Sequence, residues 1–363
     1  MSCLILPLSL SLSSKSHQHS QLTTNQCLCP SLFQSMDQAT ENPSYPPLFL
    51  TPGSHLHPTP QPTTFQPGPT IQVPLLDLQR LDTDVHLFQS CQKLGLIRLT
   101  NHGVPPGLSD RLFGFAREIL SRPFERKVAE LADAAVKYFW GTPAVSLNSK
   151  EVNWLEGLHV SVSGLSSPAS ESEFGEFRNL AIEYCEHMAR ISRTLFNTLA
   201  IDLNLDEEQT TTYLSESNGM FRVYRYPICP NPSSYLGMEA HTDSSVLTIL
   251  NEDDVGGLQV LSEHTWFNVV PVPGTLIVNL GDLFQVISDD RYNSVKHRVL
   301  ASSVTERISL GYFVFPQEDS VLRSSIYNPF TLKEFRAQVQ EDIMKTGSKV
   351  GLKQFRKEKP NLN

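Results

Sequence analysis

The chain reads as an α+β protein: a double-stranded β-helix (jelly-roll) core with helices flanking it on the N-terminal side. Three observations predict this. Helical periodicity of apolar residues is concentrated before about residue 210, and short strand-like runs punctuated by Gly and Pro dominate from Ser217 to Phe315. Many short strands at near-regular spacing suit a double-sheet barrel, and helices first with strands later suit an α+β arrangement. Within the strand-rich part, His241 and Asp243 form a His-x-Asp pair, followed at long distance by His297 and then by Arg307 and Ser309.

Composition narrows the function classes. With 363 residues the chain is long enough for one large core or two smaller ones, and its content of apolar and charged residues is ordinary. A net charge of -9 and a pI near 5.7 argue against nucleic-acid or anionic-membrane partners, and no basic patch or arginine-rich tail is visible. The six cysteines show no paired spacing, and Cys27 and Cys29 form only a C-x-C in the tail, so a reduced intracellular protein is expected.

Residues 1–69 are rich in Ser, Pro, Gln, Thr and His and are expected to form a disordered N-terminal tail. Leu4 to Leu12 is too short to span a bilayer and lacks a preceding basic region. The absence of acidic residues before Asp37 and the abundant serine resemble a plastid transit peptide, but the segment holds one lysine and no arginine. A cytoplasmic location is expected, a nuclear one being compatible, and Met36 is an alternative initiator.

The elements follow in order. Ile71 to Leu78 reads as a strand. Asp82 or Thr83 caps a helix with the stripe Leu87, Phe88, Cys91 and Leu94, which Gly95 ends. Leu96 to Thr100 is a strand, and Asn101-His102-Gly103 is turn chemistry, so His102 is given no catalytic role. Gly107 to Leu120 is helical and Pro123 closes it. Asn153 to Val160 is either a pocket edge or a strand under helices. Ser170-x-x-Glu173 resembles a capping box for a long helix whose stripe runs from Phe177 to Leu199. Strands are expected at 221–226, 246–250, 257–260, 266–270, 275–280, 294–300 and 307–315. Glu252-Asp253-Asp254 reads as a solvated loop and Gly256-Gly257 as a turn. Helix resumes from Leu332 to Met344, and the residues from Lys349 on read as basic and solvent-facing.

The chemistry lies in the strands. His241 and Asp243 leave the same face of an extended segment, and His297 arrives from another strand. Two imidazoles and one carboxylate make a facial triad that suits Fe(II) and leaves coordination positions open, unlike a closed structural zinc site. Arg307 and Ser309 share a strand face and, with the phenol of Tyr226, can receive a carboxylate of a dicarboxylate co-substrate. Glu306 lies on the opposite face from Arg307, so Arg307 is expected to lack an acidic partner of its own and to await the ligand's carboxylate. His159, His187 and His264 read as ordinary core or surface histidines.

Several stretches together resemble the plant 2-oxoglutarate- and Fe(II)-dependent dioxygenases. They are Thr100-Asn101-His102-Gly103-Val104, Tyr224-Arg225-Tyr226-Pro227-Ile228-Cys229-Pro230, His241-Thr242-Asp243, Asp254 to Val260, Val278-Asn279-Leu280-Gly281-Asp282 and Ser294 to Arg298. The likeness runs from about Ile71 to Phe315, and in look it is nearest the gibberellin 2-, 3- and 20-oxidases. One departure is Tyr224, where the N-x-Y-P-x-C pattern has asparagine. The resemblance implies Fe(II) on His241, Asp243 and His297, 2-oxoglutarate chelating through its keto-acid end, and Arg307, Ser309 and Tyr226 on its distal carboxylate. It also implies O2 as co-substrate, ascorbate as reductant, and no catalytic side chain beyond the metal centre. The implied reaction is hydroxylation of a small hydrophobic metabolite, a gibberellin or related diterpenoid acid. A flavonoid, phenylpropanoid or other specialised metabolite is the alternative within the class, and a non-enzymatic binding module the alternative outside it. The expected organisation is a monomer with a helical dioxygenase region at 70–210, the catalytic jelly roll at 211–320, and a C-terminal helix and tail at 321–363.

Overall fold

The computed structural model describes residues 44–45, 68–83, 91–131, 136–141, 153–165, 175–230, 232–233 and 235–358. Of the tail expected at 1–69 only residues 44–45 and 68–69 are described, and there the expectation of disorder fails at Ser44, which is buried and accepts from Lys127 Nζ at 2.9 Å and Arg225 Nη1 at 3.1 Å. The start of the helix expected before Gly95 and the Ser170/Glu173 capping box lie outside the described residues. The strand expected from Ile71 to Leu78 is two strands, β1 (Thr70–Ile71) and β2 (Leu75–Asp77). Pro74 divides them, since it has no N–H for a ladder, while its carbonyl accepts from Arg98 N at 2.8 Å. Gly95 ends the following helix with φ +66° and is succeeded by β3 (Leu96–Thr100).

Helix α1 (Pro106–Leu120) opens with proline in its first turn, where a missing N–H costs nothing. It buries Leu108, Leu112 and Ala116. Pro123 then begins α2 (Phe124–Glu130) instead of only closing α1. Next come β4 (Val136–Trp140), β5 (Glu156–Ser161), the short α3 (Val162–Leu165), α4 (Gly175–Leu203) and α5 (Glu207–Thr212). The stretch around Leu158 is thus a strand. The apolar stripe of α4, including Phe177, Tyr184, Met188 and Leu195, is buried as its period requires.

The strand-rich part holds β6 (Ser215–Tyr226), β7 (Leu236–His241), β8 (Leu247–Glu252), β9 (Leu258–Ser262), β10 (Thr265–Val269) and β11 (Leu276–Leu280). After the short helix α6 (Asp282–Ile287) follow β12 (His297–Leu300) and β13 (Arg307–Phe315). A two-stranded pair, β14 (Val321–Leu322) and β15 (Phe330–Thr331), precedes α7 (Leu332–Thr346), which is capped by a Thr331/Glu334 capping box and closed by Gly347 at φ +79°. No described helix is long and apolar enough to cross a membrane.

The strands form a jelly roll of two facing sheets. One has the order β1-β10-β9-β12-β7, the other β2-β3-β11-β8-β13-β6-β5-β4. The main core lies between the larger sheet and α1 and α4; a second cluster, with Leu96, Tyr226, Val260 and Val299, fills the space between the sheets. Two registers position the site. Antiparallel pairing of β12 with β7 sets His297 directly opposite His241, and pairing of β13 with β8 sets Ser309 opposite Glu252.

Candidate metal centre

His241 is the last residue of β7, Asp243 sits in the turn beyond it, and His297 is the first residue of β12. The cross-strand register brings the two imidazoles to a centroid separation of 4.3 Å. Nε2 of His241 lies 3.6 Å and Nε2 of His297 3.8 Å from Oδ1 of Asp243. One ligating atom from each of the three falls within 4.8 Å of the others.

The atoms that face away from this cluster are all engaged. Nδ1 of His241 contacts the Glu239 carbonyl at 2.7 Å, and Nδ1 of His297 contacts the Val295 carbonyl at 3.1 Å. A carbonyl only accepts, so each Nδ1 carries a proton, and Nε2 is the ring nitrogen turned toward the cluster. Oδ2 of Asp243 accepts from Asn279 Nδ2 at 2.8 Å, which leaves Oδ1 free on the same side. Burial alone would raise the Asp243 carboxyl, but His297, His241 and the Asn279 bond hold it well below the usual carboxylate range. Burial, then His241, push the His297 imidazole down to about 4, so it is neutral at physiological pH. A buried carboxylate beside two imidazoles, with their ligating atoms gathered at one point, is a donor set that fits a divalent first-row metal with open coordination positions.

The same cleft holds the three residues expected to meet a dicarboxylate. It is lined by the triad together with Tyr226, Arg307 and Ser309. The Arg307 guanidinium donates to Ser309 Oγ at 3.1 Å and lies 5.0 Å from the Tyr226 ring centroid. Burial pushes the Tyr226 phenol up, so it stays a hydrogen-bond donor.

Three expectations are corrected here. Arg307 does have an acidic partner: its Nη2 donates to Glu252 Oε2 at 2.9 Å, with both side chains nearly removed from water. The β13–β8 register explains this, since Glu252 opposes Ser309 and so shares its face with Arg307. Although burial acts to lower it, Glu252 holds the Arg307 guanidinium above its ordinary value. Accordingly the expectation of a solvated loop fails for Glu252 and Asp253, whose Oδ2 accepts from the Ile308 amide at 2.6 Å, and holds for Asp254, which is exposed in a turn. Nε of Arg307 and Oε1 of Glu252 are buried without a hydrogen-bond partner among the described residues. The third correction concerns Lys349, which faces inward and donates to Asp282 Oδ2 at 2.8 Å.

Sequence reasoning also missed Asn279 as a partner of Asp243; a lone amide in the apolar run Leu276 to Leu280 was the available signal. Tyr224 lines the cleft and its Oη accepts from Arg222 Nη1 at 3.1 Å. His102 serves its turn, with Nδ1 accepting from the Val104 amide at 3.2 Å.

A jelly roll that gathers two imidazoles and a carboxylate on one wall of an interior cleft defines a class, the non-haem metal oxygenases, and comparison with known proteins agrees. Residues 217–316 match the 2OG-Fe(II) oxygenase superfamily, and residues 73–179 match the N-terminal region described as non-haem dioxygenase in morphine synthesis. Gibberellin 2-beta-dioxygenase 8 of Arabidopsis thaliana is 33% identical over 302 residues, covering 78% of this chain and 87% of that protein. Gibberellin 2-beta-dioxygenase 6 of Oryza sativa subsp. japonica is 34% identical over 314 residues, covering 78% and 84%. The crystal structure of JOX2 in complex with 2OG, Fe and JA superposes with a TM-score of 0.66 at 27% identity, covering 77% of this chain and 88% of that one. The chain belongs to the 2OG-Fe(II) oxygenase superfamily, as a non-haem, 2-oxoglutarate-dependent dioxygenase.

Proposed function

We propose that this dioxygenase hydroxylates a gibberellin or related diterpenoid acid, with Fe(II) on His241, Asp243 and His297 and the distal carboxylate of 2-oxoglutarate at Arg307, Ser309 and Tyr226. One observation carries the assignment of roles: both groups of residues line a single cleft between the sheets. The similarity to gibberellin 2-beta-dioxygenases supports the substrate class.

Bound Fe(II) supplies O2 activation coupled to oxidation of the keto acid, so that substrate, O2 and 2-oxoglutarate give hydroxylated product, succinate and CO2. The chain's own residues do the rest. Asn279 and two backbone carbonyls fix the orientation of the three donors, so little reorganisation is needed when the ion binds. The unpartnered Nε of Arg307, the Ser309 hydroxyl and the Tyr226 phenol offer donors for a carboxylate. Leu250, Val260, Ile277 and Phe313 line the cleft with apolar surface, which suits a hydrophobic substrate and excludes water from the reacting C–H. We place the enzyme in the cytoplasm as a monomer; the buried thiols of Cys91 and Cys185, which form no disulfide, support a reducing compartment.

The test is succinate release with Fe(II), ascorbate and 2-oxoglutarate, with and without substrate, over a panel of gibberellins and flavonoids followed by mass. A gain of one oxygen on a gibberellin, absent in His241→Ala, is the expected result. Turnover of flavonoids alone would move the substrate class, and equal succinate release by His241→Ala would remove the metal assignment.

A further inference from the structure

The turn that joins His241 to Asp243 is gripped from outside the cleft by a residue that lies far along the chain. Lys349 Nζ donates to the carbonyl of Thr242 at 2.5 Å, to Ser244 Oγ at 3.2 Å and to Asp282 Oδ2 at 2.8 Å. Thr242 is the residue between the two ligand candidates. The neighbouring carbonyl, of Asp243 itself, accepts from the Asp282 amide at 2.8 Å. Two consecutive peptide carbonyls of the turn are thus fixed by one ion pair, one by the lysine and the other by the backbone of its aspartate.

The lysine is itself delivered by anchored backbone. Gly347 stops α7 in the left-handed region, the Val350 amide donates to the buried Asp342 carboxylate at 3.1 Å, and Phe355 packs on Phe330 at a centroid separation of 4.2 Å. Both partners of the pair are largely removed from water, with Lys349 15% and Asp282 5% exposed.

We propose that Lys349 is a positioning residue of the metal centre, holding the His241–Asp243 turn in the conformation that presents both side chains to one ion. The inference rests on the reading of His241, Asp243 and His297 as metal ligands. Alone, an ammonium group here would repel a divalent cation. Asp282 in direct contact offsets that charge, so the pair acts on the ion through geometry, in the manner of outer partners whose loss weakens metal affinity about 10- to 100-fold. A C-terminal staple that merely stabilised the fold would leave the affinity of the folded protein unchanged.

Co(II) is the probe, because its binding and visible spectrum report the site without turnover. Apo wild type, His241→Ala, Lys349→Met and Lys349→Cys are titrated with Co(II) well below their unfolding temperatures. Lys349→Met and Lys349→Cys are expected to bind about 10-fold more weakly or worse, with an altered ligand-field spectrum. Aminoethylation of the Lys349→Cys thiol, which rebuilds an ammonium at similar reach, is expected to return the affinity to within about threefold of identically treated wild type. Binding by Lys349→Met within twofold of wild type, or folding failure in both Lys349 variants, would overturn the inference by marking a bystander or a fold staple. Undiminished Co(II) binding by His241→Ala would instead remove the ligand reading on which it rests.

Discussion

Arg307 and Glu252 face each other across β13 and β8, and the pair sets opposing demands on a carboxylate that enters the cleft. The arginine attracts it, while the glutamate both occupies one edge of the guanidinium and repels the newcomer. Truncating one partner of a buried hydrogen-bonded charge pair costs about 2–5 kcal/mol. Arg307→Ala is therefore expected to raise the KM for 2-oxoglutarate at least about 30-fold, which corresponds to the low end of that range. Glu252→Gln is expected to act in the other direction, lowering that KM several-fold while the apo protein loses thermal stability, because Arg307 is left buried without an anion. The 2-oxoglutarate dependence of succinate release and an apo thermal melt measure both effects; a KM that rises in Glu252→Gln would contradict the competition. A different residue-scale expectation concerns Cys91, whose thiol burial pushes up to about 12. Native Cys91 should resist iodoacetamide at pH 8, with its peptide modified only after unfolding. The sign follows: a thiol whose folded pKa exceeds its unfolded value near 9.0 favours the fold below that value, and this contribution is lost as pH rises toward about 12.

Elements differ in how openly they declare themselves. β8 and β11, with Ile249, Leu250, Ile277 and Val278, are apolar runs that read directly as strands, and the long stripe of α4 reads as a helix. β7, Leu-Gly-Met-Glu-Ala-His, holds no β-branched residue; only its ladder with β12 makes it a strand, so its sequence alone did not mark it. α6 is too short for a helical period to show. The triad was readable because His-x-Asp and a later histidine are rare as an ordered set on strands. Glu252 and Lys349 were not, because their roles exist only through partners brought close by pairing and by the C-terminal segment. The same is true of the ion-pair network that joins α2, β5 and β6. Lys127 contacts Glu156 with both side chains fully buried, and Arg225 Nη1 donates to Glu156 Oε1 at 2.7 Å. Arg225 also donates to Glu306 at 2.9 Å, and so ties the start of β13 into the network. Removing the shared carboxylate in Glu156→Gln leaves a lysine buried without its charge partner, a loss of about 3–5 kcal/mol. Urea denaturation should show the midpoint fall with an unchanged slope; a shift of under about 1 kcal/mol would show that the network carries little of the fold's stability.

At the scale of the whole molecule, the two sheets meet over the cleft, and the proposed ion would join the smaller one to the turn beside it. His241 and His297 belong to the smaller sheet, Asp243 to the turn, and Asp243 is in turn bonded to Asn279 on the larger sheet. Arg307 and Ser309, also on the larger sheet, would take the far end of 2-oxoglutarate. Metal and keto acid together would therefore span both sheets, whereas either alone would hold one wall. Because the donor cluster exists only in the folded chain, a metal that binds it stabilises the native state by about 2.7 kcal/mol at one hundred times its Kd. With an unfolding entropy of about 2.1 cal/mol/K per residue, a chain of 363 residues shifts by about 1.3 °C per kcal/mol, which predicts a rise of roughly 3–5 °C with Mn(II) or Co(II) under anaerobic conditions. 2-Oxoglutarate without metal should add little, and the two together should exceed the sum of their separate shifts, since the chelated acid completes the bridge. Differential scanning fluorimetry of wild type, His241→Ala and Arg307→Ala separates the contributions. His241→Ala should lose the metal shift, and Arg307→Ala should keep the metal shift while losing the extra gain from 2-oxoglutarate. A strictly additive pair of shifts in wild type would mean that the keto acid and the metal do not share this cleft.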